Sequence, residues 1–112
     1  MASVKVKFRP SATDGREGSI YYQVIHNRAV RQITADLHVH ENEWNTGTSS
    51  VIIPTWADVD RKYHLHIIQK HISRDVLRLE NIIRNLTLKG VCSADAIVDV
   101  YRKQTSLQSF FN

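Results

Sequence analysis

SIYYQVIH, at residues 19–26, is the stretch that decides the fold. Every second residue in it is apolar, and β-branched and aromatic side chains dominate, a pattern typical of a half-buried β-strand. The alternation predicts two faces, one carrying Ile20, Tyr22 and Val24 and the other carrying Tyr21, Gln23 and Ile25.

The flanking stretches predict strands on either side. Residues 3–9 place Val4, Val6 and Phe8 on one face and Lys5, Lys7 and Arg9 on the other. Residues 29–34 return as a third strand after a turn at Asn27, because Asn tolerates positive φ. A change of one residue in that turn reverses the whole third strand, so the pattern leaves open whether Val30 or Arg31 faces outward.

A long helix is predicted from about residue 58. Apolar residues recur there at spacings of three and four: Leu65, Ile68, Ile72, Val76, Leu79, Ile83 and Leu86. Lys89-Gly90 is a typical helix end, which gives a length on the order of 45 Å. Ser93 is the expected N-cap of a second helix, with Asp95 in its first turn, that folds back on the first.

These elements predict an α+β fold, with a small three-stranded antiparallel sheet followed by a long helix and a shorter helix packed as a hairpin. We assign residues 1–56 to a sheet domain with its connector, 57–105 to the helical hairpin, and 106–112 to the start of a linker toward a further domain. Residues 36–56 show no sustained period, and we expect Trp44 and Trp56 to fill edges of the core.

The charge is distributed in blocks. The chain of 112 residues has a net charge of +4. Residues 1–40 contain six Lys/Arg and three Asp/Glu, residues 41–60 contain four acids and no base, and residues 61–112 contain nine bases and four acids. A basic balance favours an acidic partner. No run of about 18 apolar residues is present, and a single cysteine, Cys92, fits a reducing compartment, so we expect a cytoplasmic protein without a membrane anchor.

The basic strand face is the first candidate site. A ribbon of two or three strands fits the major groove of B-DNA, where Lys and Arg contact phosphate or guanine and Gln pairs with adenine. The ordinary alternative is a solvated face, because exposed strand lysines also protect against aggregation.

The sequence gives less support to a catalytic site or a metal site. The six histidines lack metal-ligand spacing, and no Cys or carboxylate completes a zinc set among them. Glu41, Glu43, Asp58 and Asp60 suggest a metal-dependent nuclease as a rival, although acids at 58 and 60 also suit a helix N-terminus. No base accompanies Cys92, and no glycine-rich phosphate loop is present. We therefore expect no cofactor, no metal, no small-molecule substrate and no catalytic residue.

Several segments together resemble a known family. They are VKVKFRP at 4–10, GSIYYQVIHNR at 18–28, VRQI at 30–33, Glu43-Trp44, IIP at 52–54, DVLRL at 75–79 with Ile82-Ile83, and SADAIV at 93–98. In this order they resemble the N-terminal region of tyrosine recombinases, the phage-type integrases of Bacteroides-like mobile elements. The resemblance implies an arm-type DNA-binding domain, a three-stranded sheet that enters the major groove, with the catalytic residues in a later domain.

The resulting hypothesis is sequence-specific binding of duplex DNA at arm sites, which positions a recombinase for integration and recombination of a mobile element. The expected contacts are Lys5, Lys7, Arg9, Tyr21, Gln23, Arg28 and Arg31. The expected partners are double-stranded DNA and other recombinase protomers. The alternative is a protein-interaction or oligomerisation module of the recombination complex, with little DNA affinity of its own.

Overall fold

A computed structural model of the chain describes the backbone of residues 2–111 and the side chains of residues 2–105. Its strands and helices are β1 (Ser3–Arg9), β2 (Gly18–His26), β3 (Ala29–Val39), β4 (Trp44–Asn45), β5 (Ser50–Val51), α1 (Val59–Leu88) and α2 (Ala94–Phe111). The first three strands form an antiparallel sheet in the order β1-β2-β3. The predicted α+β fold, a three-stranded sheet followed by a long and a shorter helix, is confirmed.

The strand register confirms the two faces predicted for β1 and β2. Val4 pairs with Val24, Val6 with Tyr22 and Phe8 with Ile20. Cross-strand partners share a face, and Ile20, Tyr22 and Val24 are fully buried with the helices. The intervening residues therefore lie on the opposite face, which we call the open face.

A two-residue turn fixes the phase of β3. His26 pairs with Ala29, and the two turn residues, Asn27 and Arg28, have φ of 48° and 70°. Positive φ at both positions defines the hairpin turn whose twist matches that of the strands. Ile25 consequently pairs with Val30, which lies on the open face, whereas Val24 pairs with Arg31, which lies on the helix side.

β3 continues to Val39, beyond the end at residue 34 that the sequence predicted. A bulge divides this strand, because Tyr21 pairs with Thr34 while its neighbour Ile20 pairs with Leu37. Two residues, Ala35 and Asp36, are inserted between these pairs, and Asp36 has a φ of 56°. Because two residues are inserted, the alternation of apolar and polar side chains continues from Ile33 to Val39, and the prediction ended the strand at residue 34 without following it.

The helix ends follow their sequence signals. The Asp58 carboxylate caps α1 by accepting the Arg61 backbone N–H at 2.7 Å. At the other end Gly90 has a φ of 72°, and the Val91 N–H donates to the Leu86 carbonyl, as in a Schellman motif. The Ser93 hydroxyl accepts the Ala96 N–H at 3.0 Å and so begins α2 as predicted.

Both helices pack on one face of the sheet. The core joins Leu65, Ile68 and Ile72 of α1 and Ile97 and Tyr101 of α2 to the buried residues of β2 and β3. One buried polar link crosses this core, where the Tyr22 hydroxyl donates to Asp75 at 2.7 Å. Burial and this hydrogen bond both raise the pKa of Tyr22, so the hydroxyl remains a donor.

The connector between β3 and α1 is held by Trp44 and Glu43. Trp44 is buried and stacks on Phe8 with ring centroids 6.0 Å apart, as predicted. The prediction for Trp56 is wrong, because this side chain is 75% exposed in the turn before α1. β4 and β5 pair, and Gln69 of α1 accepts the Val51 N–H at 2.9 Å.

None of the helices in the described part of the chain is long and apolar enough to cross a membrane. The α2 backbone extends to Phe111, past the predicted boundary at residue 105. The side chains of residues 106–112 lie outside the described residues, so the expectation of a linker there stays a prediction.

Candidate nucleic-acid interface

The open face is built as four rows of side chains across the three strands. The rows are Ser3, Ile25 and Val30; Lys5, Gln23 and Gln32; Lys7, Tyr21 and Thr34; and Arg9, Ser19 and His38. Strands lie about 4.8 Å apart, so the face is roughly 10 Å wide. That width is comparable with the major groove of B-DNA, which is about 12 Å wide.

Charge is distributed unevenly over this face. All three cations of the rows, Lys5, Lys7 and Arg9, stand on β1, while β2 and β3 contribute amides, hydroxyls and a phenol. Lys5 and Arg9 are exposed and Lys7 is partly exposed. An acid at the bulge, Asp36, has its carboxylate 3.5 Å from the His38 ring. The open face therefore has a cationic edge and a neutral, hydrogen-bonding centre.

Arg9 reaches from the edge over the centre of the sheet. Its guanidinium lies 4.9 Å from the centroid of the Tyr21 ring, and it donates to the Gln32 side-chain oxygen at 3.4 Å. A cation over an aromatic face is attracted by the ring quadrupole, so Tyr21 restricts where Arg9 points. Arg9 of β1, Tyr21 of β2 and Gln32 of β3 thus form a connected polar group.

Gln23 and Gln32 differ in which side-chain atoms are free to bind a ligand. Within residues 2–105 the Gln23 amide makes no hydrogen bond, and its side chain is partly exposed between Lys5 and Gln32. Both its oxygen and its nitrogen are available to a ligand. An amide with both atoms free pairs bidentately with adenine N6 and N7.

Gly18 and Arg28 set the two ends of the open face. A Cβ on Gly18 would collide with the Arg9 carbonyl and lie 2.6 Å from the Phe8 ring, so only glycine lets β1 approach β2 there. At the other end Arg28 extends from the tip of the hairpin and is exposed. It places a fourth cation beyond the row of Ser3, Ile25 and Val30.

The structure brings together five of the seven residues predicted from the sequence. Lys5, Lys7, Arg9, Tyr21 and Gln23 share the open face, and Arg28 lies at its end. Arg31 does not join them, because the two-residue turn puts it on the helix side. There its Nε donates to Asp95 of α2 at 2.7 Å. It ties sheet to helix and leaves the set of candidate contacts.

Sequence reasoning did not place the four open-face residues of β3, namely Val30, Gln32, Thr34 and His38. The first three follow from the turn, since a two-residue loop at Asn27 and Arg28 fixes their phase. His38 follows from the same phase, because the alternation of apolar and polar residues continues through the two-residue bulge.

The acidic connector forms an ion-pair centre. Glu17, His40 and Glu43 bring ligand atoms within 4.8 Å of one another, a spacing compatible with a metal ion. The Arg61 guanidinium already bridges the carboxylates of Glu43 and Glu17, at 2.7 Å from Nε to Glu43 Oε2 and 2.9 Å from Nη2 to Glu17. The Arg61 guanidinium thus supplies the positive charge that balances these carboxylates. The predicted capping role of Asp58 is confirmed, and Asp60 lies in the first turn of α1.

Comparison of the chain with protein-family models, with curated proteins and with solved structures returned no match. The functional inference accordingly depends on the geometry of the open face.

Proposed function

We propose that the open face binds duplex DNA in the major groove, and that the chain is an arm-site-binding region that positions a tyrosine recombinase on the ends of a mobile element. The observation that carries the proposal is the arrangement of the rows. A cationic edge on β1 lies beside a hydrogen-bonding centre on β2 and β3, on a sheet face that the helices leave uncovered.

In the proposed complex, different residues contact the phosphates and the bases. Lys5, Lys7 and Arg9 lie along one edge of a face about as wide as the groove, where they meet the phosphates of one strand. Arg28 adds a cation at the tip of the β2–β3 hairpin. Gln23 stands one strand further in, level with the base edges, and is the proposed base reader. This chain then contributes affinity and register, and no catalytic residue. We infer that it acts in the cytoplasm.

Salt dependence tests the proposal. The logarithm of duplex affinity should fall linearly with the logarithm of salt concentration, with a slope of about −0.9 for each phosphate contact. The triple variant Lys5→Ala/Lys7→Ala/Arg9→Ala should reduce that slope by about 3. A matched triple, Arg84→Ala/Lys89→Ala/Arg102→Ala, removes three exposed cations from the helices and should change it far less. Absence of salt dependence, or equal effects of the two triples, would contradict the proposal.

Base reading by Gln23 is tested separately. Selection of binding sequences from random duplexes, with the wild type and with Gln23→Ala, should show one A·T position losing its preference in the variant. The expected discrimination is about 1–3 kcal/mol at that position. Gln32→Ala is the control, because Arg9 already engages its oxygen. An unchanged base preference in the Gln23→Ala variant would show that a different residue reads the base.

A protein-interaction role is favoured by a different observation. Trp56, Val59 and Tyr63 are 75%, 82% and 69% exposed at the start of α1. Exposed aromatic and aliphatic groups of this kind often mark protein contacts. We propose this as the second candidate. Light scattering of the chain alone separates the two, since only an oligomerisation module self-associates without DNA.

A further inference from the structure

The outward side of α1 carries a second concentration of positive charge. At about 100° per residue, five positions fall within an arc of roughly 80°, opposite the buried residues Leu65, Ile68 and Ile72. We call these five the outer stripe: Val59, Tyr63, His66, Lys70 and Arg74. All five are exposed. The stripe is on the side of α1 that faces away from the sheet, and so away from the open face.

The charge around the stripe is not balanced by acids. Residues 59–74, the span of the stripe, contain four Lys/Arg, three His and one acid, Asp60 in the first turn. Arg61 is neutralised by Glu43 and Glu17, but across residues 2–105 no carboxylate lies within ion-pair distance of Lys70 or Arg74. The following residues, 75–88, contain two acids and two bases. The excess is confined to the first half of α1.

This arrangement is unfavourable for the helix itself. Lys70 and Arg74 are four residues apart, so their like charges lie side by side, and such pairs destabilise a helix. A solvated helix usually places acids at these spacings. A row of cations with an exposed tyrosine and histidine, kept at a cost to the helix, fits a surface that meets an extended anion.

We propose that the outer stripe binds the phosphate backbone of a second DNA duplex, so that one chain bridges two duplexes. The stripe is about 22 Å long, which corresponds to about six base-pair steps along the axis of a duplex. Lys70 and Arg74 pair with phosphate oxygens, and His66 and Tyr63 donate hydrogen bonds beside them. The bridging role depends on the proposed function of the open face, whereas the phosphate contact by the stripe does not.

The experiment uses four proteins. They are the wild type, the variant Lys5→Ala/Lys7→Ala/Arg9→Ala (the open-face triple), the stripe variant Lys70→Gln/Arg74→Gln, and the combination of both variants. Duplex affinity is measured as a function of salt. A second assay immobilises one duplex of about 20 base pairs and records capture of a second, fluorescent duplex of the same length. These duplexes are too short to bend around the protein, so capture reports bridging.

The stripe variant should keep its affinity for the first duplex within about twofold and lose at least tenfold in capture of the second. The open-face triple should keep some dependence of log affinity on log salt concentration. When the stripe changes are added to it, the magnitude of that slope should decrease by about 2. The matched control is Arg84→Gln/Lys89→Gln, which removes two exposed cations from the second half of the same helix and its cap, and should leave capture unchanged. Thermal melting should show the stripe variant at least as stable as the wild type.

The two proposals fail in different ways. Salt-dependent binding that needs Lys5, Lys7 and Arg9, with no capture of a second duplex, overturns the stripe and leaves the open face. Binding lost only in the stripe variant overturns the open face and leaves the stripe. No duplex binding at all overturns both. Capture that polyglutamate abolishes far below the concentration of DNA phosphate would assign the stripe to an acidic protein instead and overturn our proposal.

Discussion

Glu43 and Arg61 form a two-point ion pair that fastens the connector to the first turn of α1. Both nitrogens of one edge of the guanidinium donate to the Glu43 carboxylate, which is buried, and the His40 backbone N–H donates to the same group at 2.8 Å. Paired, fork-shaped contacts of this kind combine strength with a fixed geometry. The pair thereby sets where the connector runs relative to the helix.

Replacement of Glu43 by Gln should lower the free energy of unfolding by about 3 kcal/mol, because it leaves Arg61 without its main partner in a partly buried site. Denaturant titration at pH 7 measures the change. Glu41→Gln is the control, since Glu41 is exposed in the same turn, and it should change stability by less than about 0.5 kcal/mol. Equal losses in the two variants would contradict the role assigned to the pair.

The same pair predicts a dependence on pH. The Arg61 guanidinium holds the pKa of the Glu43 carboxyl below its ordinary value of 4.5, although burial opposes this effect. A carboxyl whose pKa is depressed by folding stabilises the protein above the unfolded-state pKa, and the contribution disappears as pH falls through the folded-state pKa. Wild-type stability should therefore fall below about pH 4.5. The Glu43→Gln variant should fall less steeply over that window, and parallel curves would disprove the linkage.

The hydroxyl of Tyr22 should matter for stability and not for the open face. Tyr22→Phe removes the hydrogen bond to Asp75 from a fully buried site and leaves the carboxylate short of a donor, which costs about 1–2 kcal/mol. Tyr21→Phe keeps its ring under Arg9 and should leave the melting temperature unchanged. Calorimetry of the two variants measures the difference, and equal melting temperatures would contradict it.

Arg28 combines a backbone effect with a charge effect, and two substitutions separate them. Its φ of 70° is one that glycine adopts freely, so Arg28→Gly should stabilise the chain by about 0.5–1 kcal/mol. Arg28→Ala keeps the strain and should not stabilise it. Both variants should lose about one unit of salt slope in DNA binding. Denaturant titration and salt-dependent affinity provide the two measurements, and stabilisation by both variants would show that the charge, not the backbone, is responsible.

Local patterns predicted much of this fold because each depends on residues near in sequence. Alternation gave the faces of β1 and β2, and Ser93 and Gly90 marked helix ends through their own backbone chemistry. The phase of β3 could not be derived, since one residue in the turn decides it, so Arg31 was named as a candidate contact while its face was left open. Trp56 was misplaced because aromatic character does not distinguish burial from exposure. The Glu43–Arg61 pair joins residues 18 apart and leaves no periodic signal.

The bulge at Ala35 and Asp36 also constrains how β3 can change in length. It inserts two residues, an even number, so Leu37 and Val39 return to the same side as Ile33. Loss of one residue there would turn Leu37 and Val39 toward solvent and His38 toward the core. Loss of both would keep every side chain in place and only straighten the strand. Insertions and deletions in this strand should therefore be tolerated in pairs, because the parity of the residue count, more than the length, keeps each side chain on its face.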